Sequence, residues 1–271
     1  MIKTGVGGVI LKIWKLTYEL CCHYSSTVTR HSYTLRCFPR EMMYQKVQSC
    51  KYEVWPCSGG SRGRDSFGNS LLIGRSDEEH DWFLVKVDSI VMTEKIAEPE
   101  IREYHQLGMY RNVTKLTVPG EKLNIFSQMI SDKNKEDPWE RTAFLMKKLA
   151  DVFQYKSGST SFHTTAEEAF AQGCGVCQDY SHILLALCRN ENMTARYVAG
   201  TIPGEGQTHA WIEVWNQGRW KGFDPTNNRV VDEDYICLAY GRDAADCSLS
   251  QGIFVGGVSQ QQHIYVKMEE Y

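Results

Sequence analysis

What the sequence lacks narrows its possible functions first. It has no excess of one charge: 30 Lys and Arg stand against 33 Asp and Glu, for a net charge of −3. That leaves no polycationic face for nucleic acid and no acidic tail, so no nucleic-acid partner is expected. No apolar run reaches membrane-spanning length. The patch from Val6 to Leu11 is broken by Lys12 and Lys15, and no small-residue cleavage site follows. Residues 1 to 14 therefore read as a lead-in to a first strand rather than a membrane anchor or secretory leader. There is no internal repeat and no low-complexity segment. There is also no D-x-[DN]-x-[DN]-G loop, so nothing demands calcium, and no cofactor is expected.

Cysteine is plentiful but unpatterned. The ten thiols, at 21, 22, 37, 50, 57, 174, 177, 188, 237 and 247, are scattered along a chain of 271 residues. Without a leader this suggests reduced thiols and a cytoplasmic protein more than a disulfide framework. Cys174 and Cys177 form a C-x2-C pair, yet a structural zinc site would want a second such pair and none exists. The preceding segments are helical and supply no βαβ context for a thioredoxin-like redox pair. A reversible Cys174–Cys177 disulfide stays open at this point.

Residues 14 to 95 read as strands, at Trp14–Tyr24, Tyr33–Phe38, Gln45–Val54, Asn69–Ile73 and Trp82–Val91. Ser58 to Asp65, rich in Gly and Ser, is expected to be an exposed loop. Residues 96 to 120 lack periodicity and look like an irregular connection. Helices follow at Glu121–Ser131 and Pro138–Phe153, the second capped by Asp137 with Pro138 as its first residue. A third, Ala166–Gln172, has Thr164 or Thr165 as its cap. Ala195–Ile202 reads as a strand, Pro203 to Gly206 as a turn, and Ile253–Val255 and Ile264–Met268 as later strands. Helices first and antiparallel strands after them make an α+β layout.

The chemistry concentrates in Gly173-Cys174-Gly175-Val176-Cys177-Gln178-Asp179-Tyr180-Ser181-His182 and the apolar run Ile183 to Cys188 that follows. The run has helix composition and apolar residues on every side, so it reads as a buried helix with Cys177 at its N-terminus. There the unpaired N–H groups and the macrodipole favour an anion, which suits a nucleophile. The plain alternative is that Cys177 is one more small hydrophobe.

Downstream, His209 to Trp215 alternates with period two and reads as a strand, and Arg219 to Asp224 as its hairpin partner. A two-residue loop at Gln217-Gly218 sets Asp224 opposite Trp211, on the face of His209 and one diagonal step from it. Pro225 cannot donate to a ladder, so the strand should end at Asp224. A Cys, a His and an Asp, each at an element end, form the layout that thiol acyl transfer needs.

With these pieces in hand, the chain resembles the transglutaminase-like (papain-like) superfamily in its bacterial form. The matching runs, in order, are Gly175 to His182, Ala195 to Gly200, His209 to Val214 and Gly222 to Asn227. Tyr240 to Asp246 also resembles the family, although Ser248 stands where its pattern has proline. Leu35 to Arg40, Gln45 and Asp65 to Asn69 resemble the β domain that precedes the core in bacterial relatives. The resemblance implies Cys177 as nucleophile, His209 as general base and acid, and Asp224 as the group that orients the imidazole. It also implies a papain-like/transglutaminase-like core at 120–271, helices packed on an antiparallel sheet, preceded by a small β-sandwich domain with its connecting segment at 1–119.

The reaction expected is attack on a peptide or glutamine-type amide, giving a thioester. An amine acceptor would make the protein a transglutaminase, and water a cysteine peptidase or amidase. An inactive binding or assembly protein on the same fold is the third possibility, though its usual sign, a lost triad member, is missing. One oxyanion donor is expected from the Cys177 N–H and a second from a side chain; Gln172, five residues before Cys177, resembles the glutamine that papain-like proteases place just upstream of their cysteine, although the spacing here is one residue shorter. The expected partner is a peptide or protein amide substrate, with no membrane contact and no metal. His182 lies about 140° round the helix from Cys177 and should point away from the sulfur. Asp179 suits the helix macrodipole, and Trp211, Trp215 and Trp220 are core residues or the lining of an acceptor cleft. His105, His163 and His263 show no partner in sequence.

Overall fold

In the computed structural model, residues 3–4, 10–56, 60–94, 107–131 and 136–271 are described. After a two-residue β1 (Lys3–Thr4), the first half is organised by one 26-residue strand, β2 (Ile10–Leu35). It takes the place of the two separate strands expected there, and the break survives only as a register shift between His23 and Val28. The next strands are β3 (Gln45–Trp55), β4 (Gly60–Arg64), β5 (Ser70–Ser76) and β6 (His80–Glu94). Trp14, Leu16, Tyr18, Leu20, Cys22 and Tyr24 are buried, so alternate residues of β2 line one core. Phe83, Val85, Val87 and Val91 of β6 answer them on the same core.

Gly60 to Arg64, expected as loop, forms an exposed edge strand on β5. The pairing uses main-chain groups that Gly and Ser supply as well as any residue, so turn-like composition hides it. Ser58 and Gly59 lie outside the described residues, as do 95–106 of the connection expected to be irregular, His105 included. A short 3-10 helix at Leu107–Tyr110 follows them.

The helices come next. They are α1 (Glu121–Met129) and α2 (Pro138–Ala150), then after β7 (Gln154–Tyr155) α3 (Ala166–Gln172), and after β8 (Cys174–Gly175) α4 (Cys177–Asn190). Asp137 caps α2 by accepting from the N–H groups of Trp139 and Glu140. Thr165 and Glu168 form a capping box on α3, which ends on Gly173 at φ 78, a left-handed conformation that glycine adopts without strain. Helix α4 is buried from Asp179 to Arg189, with Ile183, Leu184, Leu185 and Ala186 all at 0% exposure.

Strands β9 (Ala195–Thr201), β10 (Gly204–Gly206), β11 (His209–Asn216), β12 (Arg219–Asp224), β13 (Arg229–Val230) and β14 (Ile236–Gly241) follow. The second sheet runs β13-β12-β11-β9-β14, antiparallel throughout, with α4 against β11 and β9. The chain then returns to the first sheet. Strands β15 (Ser250–Val255) and β16 (Gln260–Glu270) both pair with β2, so the two ends of the described chain share one sheet. Residues Gly204–Gly206, expected as part of a turn, are a strand because β16 offers them an open edge at Val266–Met268.

Two side-chain amides join the sheets. Gln45, fully buried, accepts from the Cys237 N–H and donates to the Cys237 carbonyl, both at 2.8 Å. Asn69, also fully buried, accepts from the Tyr240 N–H at 3.0 Å and donates to the Tyr240 carbonyl at 2.9 Å. Each amide thus serves β14 as a neighbouring strand would. Arg40 holds the Asn69 oxygen at 2.9 Å and the Tyr240 hydroxyl at 2.6 Å. Among the described residues, no helix is long and apolar enough to cross a membrane.

Candidate active site

Cys177 owes its place to the extended backbone before it. Cys174–Gly175 runs parallel to Gln154–Tyr155, and Val176 continues extended at φ −108, ψ −177 before α4 begins. Gly175 leaves no room for a side chain, since a Cβ there would sit 2.5 Å from Asp179 Oδ2. Asp179 is buried, and its Oδ2 accepts from the Val176 N–H at 2.7 Å and the Thr160 hydroxyl at 2.6 Å. Burial pushes its pKa up against these bonds. Asp179 therefore pins the first turn of α4, while the N–H groups of Cys177 and Gln178 have no carbonyl inside the helix to bond.

The same geometry bears on the C-x2-C pair. Three extended steps separate Cys174 from Cys177, roughly 10 Å between Cα atoms, whereas a disulfide needs less than about 7 Å. Both cysteines are free.

His209 opens β11, and the hairpin register runs from Asn216 opposite Arg219 to Ile212 opposite Phe223. Gln217 and Gly218, at φ 48 and φ 84, make the tight two-residue loop that the sequence implied. Asp224 therefore closes β12 beside His209, and His209 Nε2 donates to Asp224 Oδ2 at 2.7 Å. The same oxygen accepts from Tyr235 Oη and Asn227 Nδ2, both at 2.8 Å. Oδ1 accepts from the backbone N–H groups of Thr226 at 3.0 Å and Asn227 at 3.2 Å.

Burial alone would raise the Asp224 pKa, but its hydrogen bonds from His209, Asn227 and Tyr235 hold it below the usual carboxylate range. At His209 burial works against the charged ring. The Asp224 hydrogen bond, a hydrogen bond to Cys177 and the negative charge of both overcome it and hold the pKa up to about 9. With Nε2 on the carboxylate, Nδ1 is the ring nitrogen left to face the sulfur.

Cys177 and His209 open onto a cleft of about 890 Å³ between the helical part and the first sheet. Tyr155, Phe162 and Gln178 line it on one side, and Tyr18, Gln262 and Ile264 of the first sheet on another. The structure thus brings Cys177, His209 and Asp224 together. Gln172 is exposed, and its Nε2 donates to Ser159 O at 3.0 Å and more weakly to Cys174 O at 3.4 Å, so its amide is engaged on the Cys174 side of the loop. His182 is buried and accepts from the Ala244 N–H at 3.2 Å, and burial lowers its pKa to about 3.

Trp211 and Trp220 are core residues, and neither they nor Trp215 line this cleft. His163 and His263 are exposed. Among the described residues, no group of three or more His, Cys, Asp or Glu is placed to hold a metal ion. Two partners of Asp224 escaped the sequence reading. Asn227 carried a signal, since Asp224 to Asn227 is a local turn in which an Asp side chain takes N–H groups two and three residues on. Tyr235 carried none, standing in an irregular segment 11 residues away.

Comparison with known proteins agrees with this architecture. Residues 126–225 match the transglutaminase-like superfamily and residues 14–92 the bacterial transglutaminase-like N-terminal region. An uncharacterized protein of Mycobacterium leprae (strain TN) is 28% identical over 253 residues, covering 86% of this chain and 90% of its own. One of Mycobacterium bovis (strain ATCC BAA-935 / AF2122/97) is 29% identical over 277 residues, covering 89% and 87%. The solved structure of a candidate cysteine protease from Cytophaga hutchinsonii aligns with a TM-score of 0.79 at 19% identity, over 96% of this chain and 91% of that one. That likeness is one of fold. Matched in both its parts and in the family's order, the chain belongs to the transglutaminase-like superfamily, with the bacterial N-terminal region ahead of the core.

Proposed function

We propose that this protein catalyses thiol-dependent acyl transfer at a peptide or glutamine-type amide carbonyl. The observation that carries the reading is the chain of contacts from Cys177 through His209 to a buried carboxylate saturated with donors. The Cys177 thiolate attacks the carbonyl carbon, and the charge on oxygen is met by the unpaired N–H groups at the start of α4. The His209 imidazolium gives its proton to the departing amine or ammonia, leaving a thioester. Neutral His209 then takes a proton from the acceptor as it attacks, the C–S bond breaks to release the acyl product, and the thiolate and imidazolium are restored. Asp224 keeps the ring in the productive tautomer throughout.

An amine acceptor makes the reaction transamidation, and water makes it peptidase or amidase chemistry. One observation favours water. Among the described residues lining the cleft there is no Asp or Glu, so nothing there holds a lysine-type ammonium, whose pKa is about 10.4, while it sheds its proton. The free cysteines suit a reducing compartment, and we assign the protein to the cytoplasm.

The test is incubation with a glutamine peptide and a labelled primary amine, following amine incorporation, ammonia and peptide cleavage together. Incorporation establishes transamidation. Ammonia or cleavage without incorporation establishes hydrolysis. None of these, with Cys177 no more reactive to iodoacetamide than the exposed thiols of the unfolded chain, sinks the enzymatic reading in favour of a binding protein.

A further inference from the structure

We propose that the first sheet supplies a subsite for an uncharged acyl segment, with the Tyr18 hydroxyl as its hydrogen-bonding group. This deepens the acyl-transfer reading and rests on it.

Tyr18 lies on β2, is fully buried, and lines the cleft that holds Cys177 and His209. Its hydroxyl has no hydrogen-bond partner. A buried hydroxyl left unpaired costs about 1–3 kcal/mol, so such groups are nearly always satisfied by protein or by something that binds. Burial also pushes the phenol pKa well up, which keeps it a neutral O–H donor.

The sheet register extends the wall from this point. Val266 lies opposite Tyr18, Ile264 opposite Leu20 and Gln262 opposite Cys22, so Tyr18, Ile264 and Gln262 share one face. All three line the cleft, Ile264 half-buried and Gln262 exposed at its rim. The wall thus offers in turn a buried hydroxyl, an aliphatic surface and a neutral amide.

The rest of the lining has the same character. Among the described residues around the cleft there is no Asp, Glu, Lys or Arg, and the charges there in the reaction are those of the Cys177–His209 pair, which offset each other. A charged side chain entering beside the scissile amide would lose its water and meet no counter-ion, which is costly. A carboxamide, aromatic or aliphatic side chain meets matching surface. The structure therefore selects substrates that are uncharged at the residue supplying the acyl carbon, held by a hydrogen bond from a part of the chain remote in sequence from the core.

Four tripeptidyl chloromethyl ketones that differ only in the residue bearing the electrophile (Gln, Phe, Glu or Lys) test this on the full chain. The Cys177 sulfur displaces chloride, so the inactivation rate reports fit without a known substrate. The Gln and Phe reagents should inactivate at least ten-fold faster than the Glu and Lys reagents. Tyr18→Phe should slow the Gln and Phe reagents three- to ten-fold while leaving alkylation by iodoacetamide, too small to span the subsite, within two-fold. Gln262→Glu, at an exposed position, should raise the Lys-to-Glu rate ratio at least ten-fold.

Equal rates for charged and neutral reagents, or Tyr18→Phe rates unchanged for the neutral ones, would overturn the subsite. If iodoacetamide fails to single out Cys177 in the unaltered protein, the thiol reading itself falls and the subsite with it.

Discussion

Replacing Asp224 with asparagine separates what the carboxylate does for the imidazole from what it does for the fold. Five donors converge on it: His209, Tyr235 and Asn227 side chains at Oδ2, and the N–H groups of Thr226 and Asn227 at Oδ1. An asparagine has one acceptor oxygen, so its NH2 must face donors whichever way it turns. The gentler orientation keeps the oxygen on His209 and turns the NH2 towards the two backbone N–H groups. Unpaired buried donors cost about 1–3 kcal/mol each, and because Asn227 is exposed water recovers part of this, so the loss should be about 2–4 kcal/mol. Urea denaturation of both proteins measures it. The effect on rate should be far larger. Without the carboxylate, burial governs His209, the ring no longer holds its proton to about 9, and turnover should fall about 10³- to 10⁴-fold. Ammonia release from a glutamine peptide, read with the variant still folded, gives that number. A folded Asp224→Asn protein working within three-fold of the original rate would refute the role assigned to the carboxylate.

The remaining predictions are more compact. The imidazole of His209, followed by NMR in protein labelled at histidine, should titrate near 9, and Cys177→Ala should move the midpoint downward because the ring loses one of its two anionic neighbours. Since that value lies above the ordinary 6.5, the stability tied to this proton is full below about pH 6.5 and is lost as pH rises through about 9, which denaturation midpoints across that range will follow. Cys177→Ala should abolish turnover and Cys174→Ala largely keep it; the reverse would mean the wrong thiol was chosen. Gly175→Ala should cost about 1–3 kcal/mol in urea and at least ten-fold in rate, as the new Cβ drives into Asp179 and unseats the first turn of α4. Gln45→Ala should cost about 1–3 kcal/mol by the same measurement, because the buried Cys237 N–H loses the amide oxygen it donates to, while the Cys237 carbonyl keeps the Arg40 N–H.

The parts of the site that could be read in advance are those set by local rules. The β11–β12 hairpin follows from period-two alternation and a Gln-Gly loop in which both residues take positive φ, and that register alone carries Asp224 to His209. The caps at Asp137 and Thr165 follow from side chains that accept N–H groups two or three residues ahead. What escaped depends on partners far along the chain. Gly204–Gly206 has turn composition and is a strand only because β16, some sixty residues later, lies beside it. Tyr235 reaches Asp224 out of a segment with no periodicity. The two strands expected before Phe38 are one because β6 and β5 pair along nearly its whole length, and side-chain patterning near residue 25 marks the irregularity without saying that the strand continues.

On the subsite proposed above, the joint between the sheets ties the N-terminal region to substrate positioning as well as to the packing. One wall of the cleft is β2 and β16 of the first sheet, while His209 lies on the second, so the distance between substrate contacts and imidazole is set by how the sheets are fastened. That fastening is at β14, whose Ile236 and Leu238 enter the core of the first sheet and whose outer edge is bonded by Gln45 and Asn69. Amide side chains give the edge its hydrogen bonds without adding a strand, so β14 stays the last strand of its sheet and can still lean on the other. Arg40 braces Asn69 and Tyr240 together, which leaves the amide a single orientation. A cleft assembled across two sheets thus keeps its geometry through a few buried polar side chains, and a substitution among them should disturb substrate fit and imidazole placement together, although none touches the sulfur.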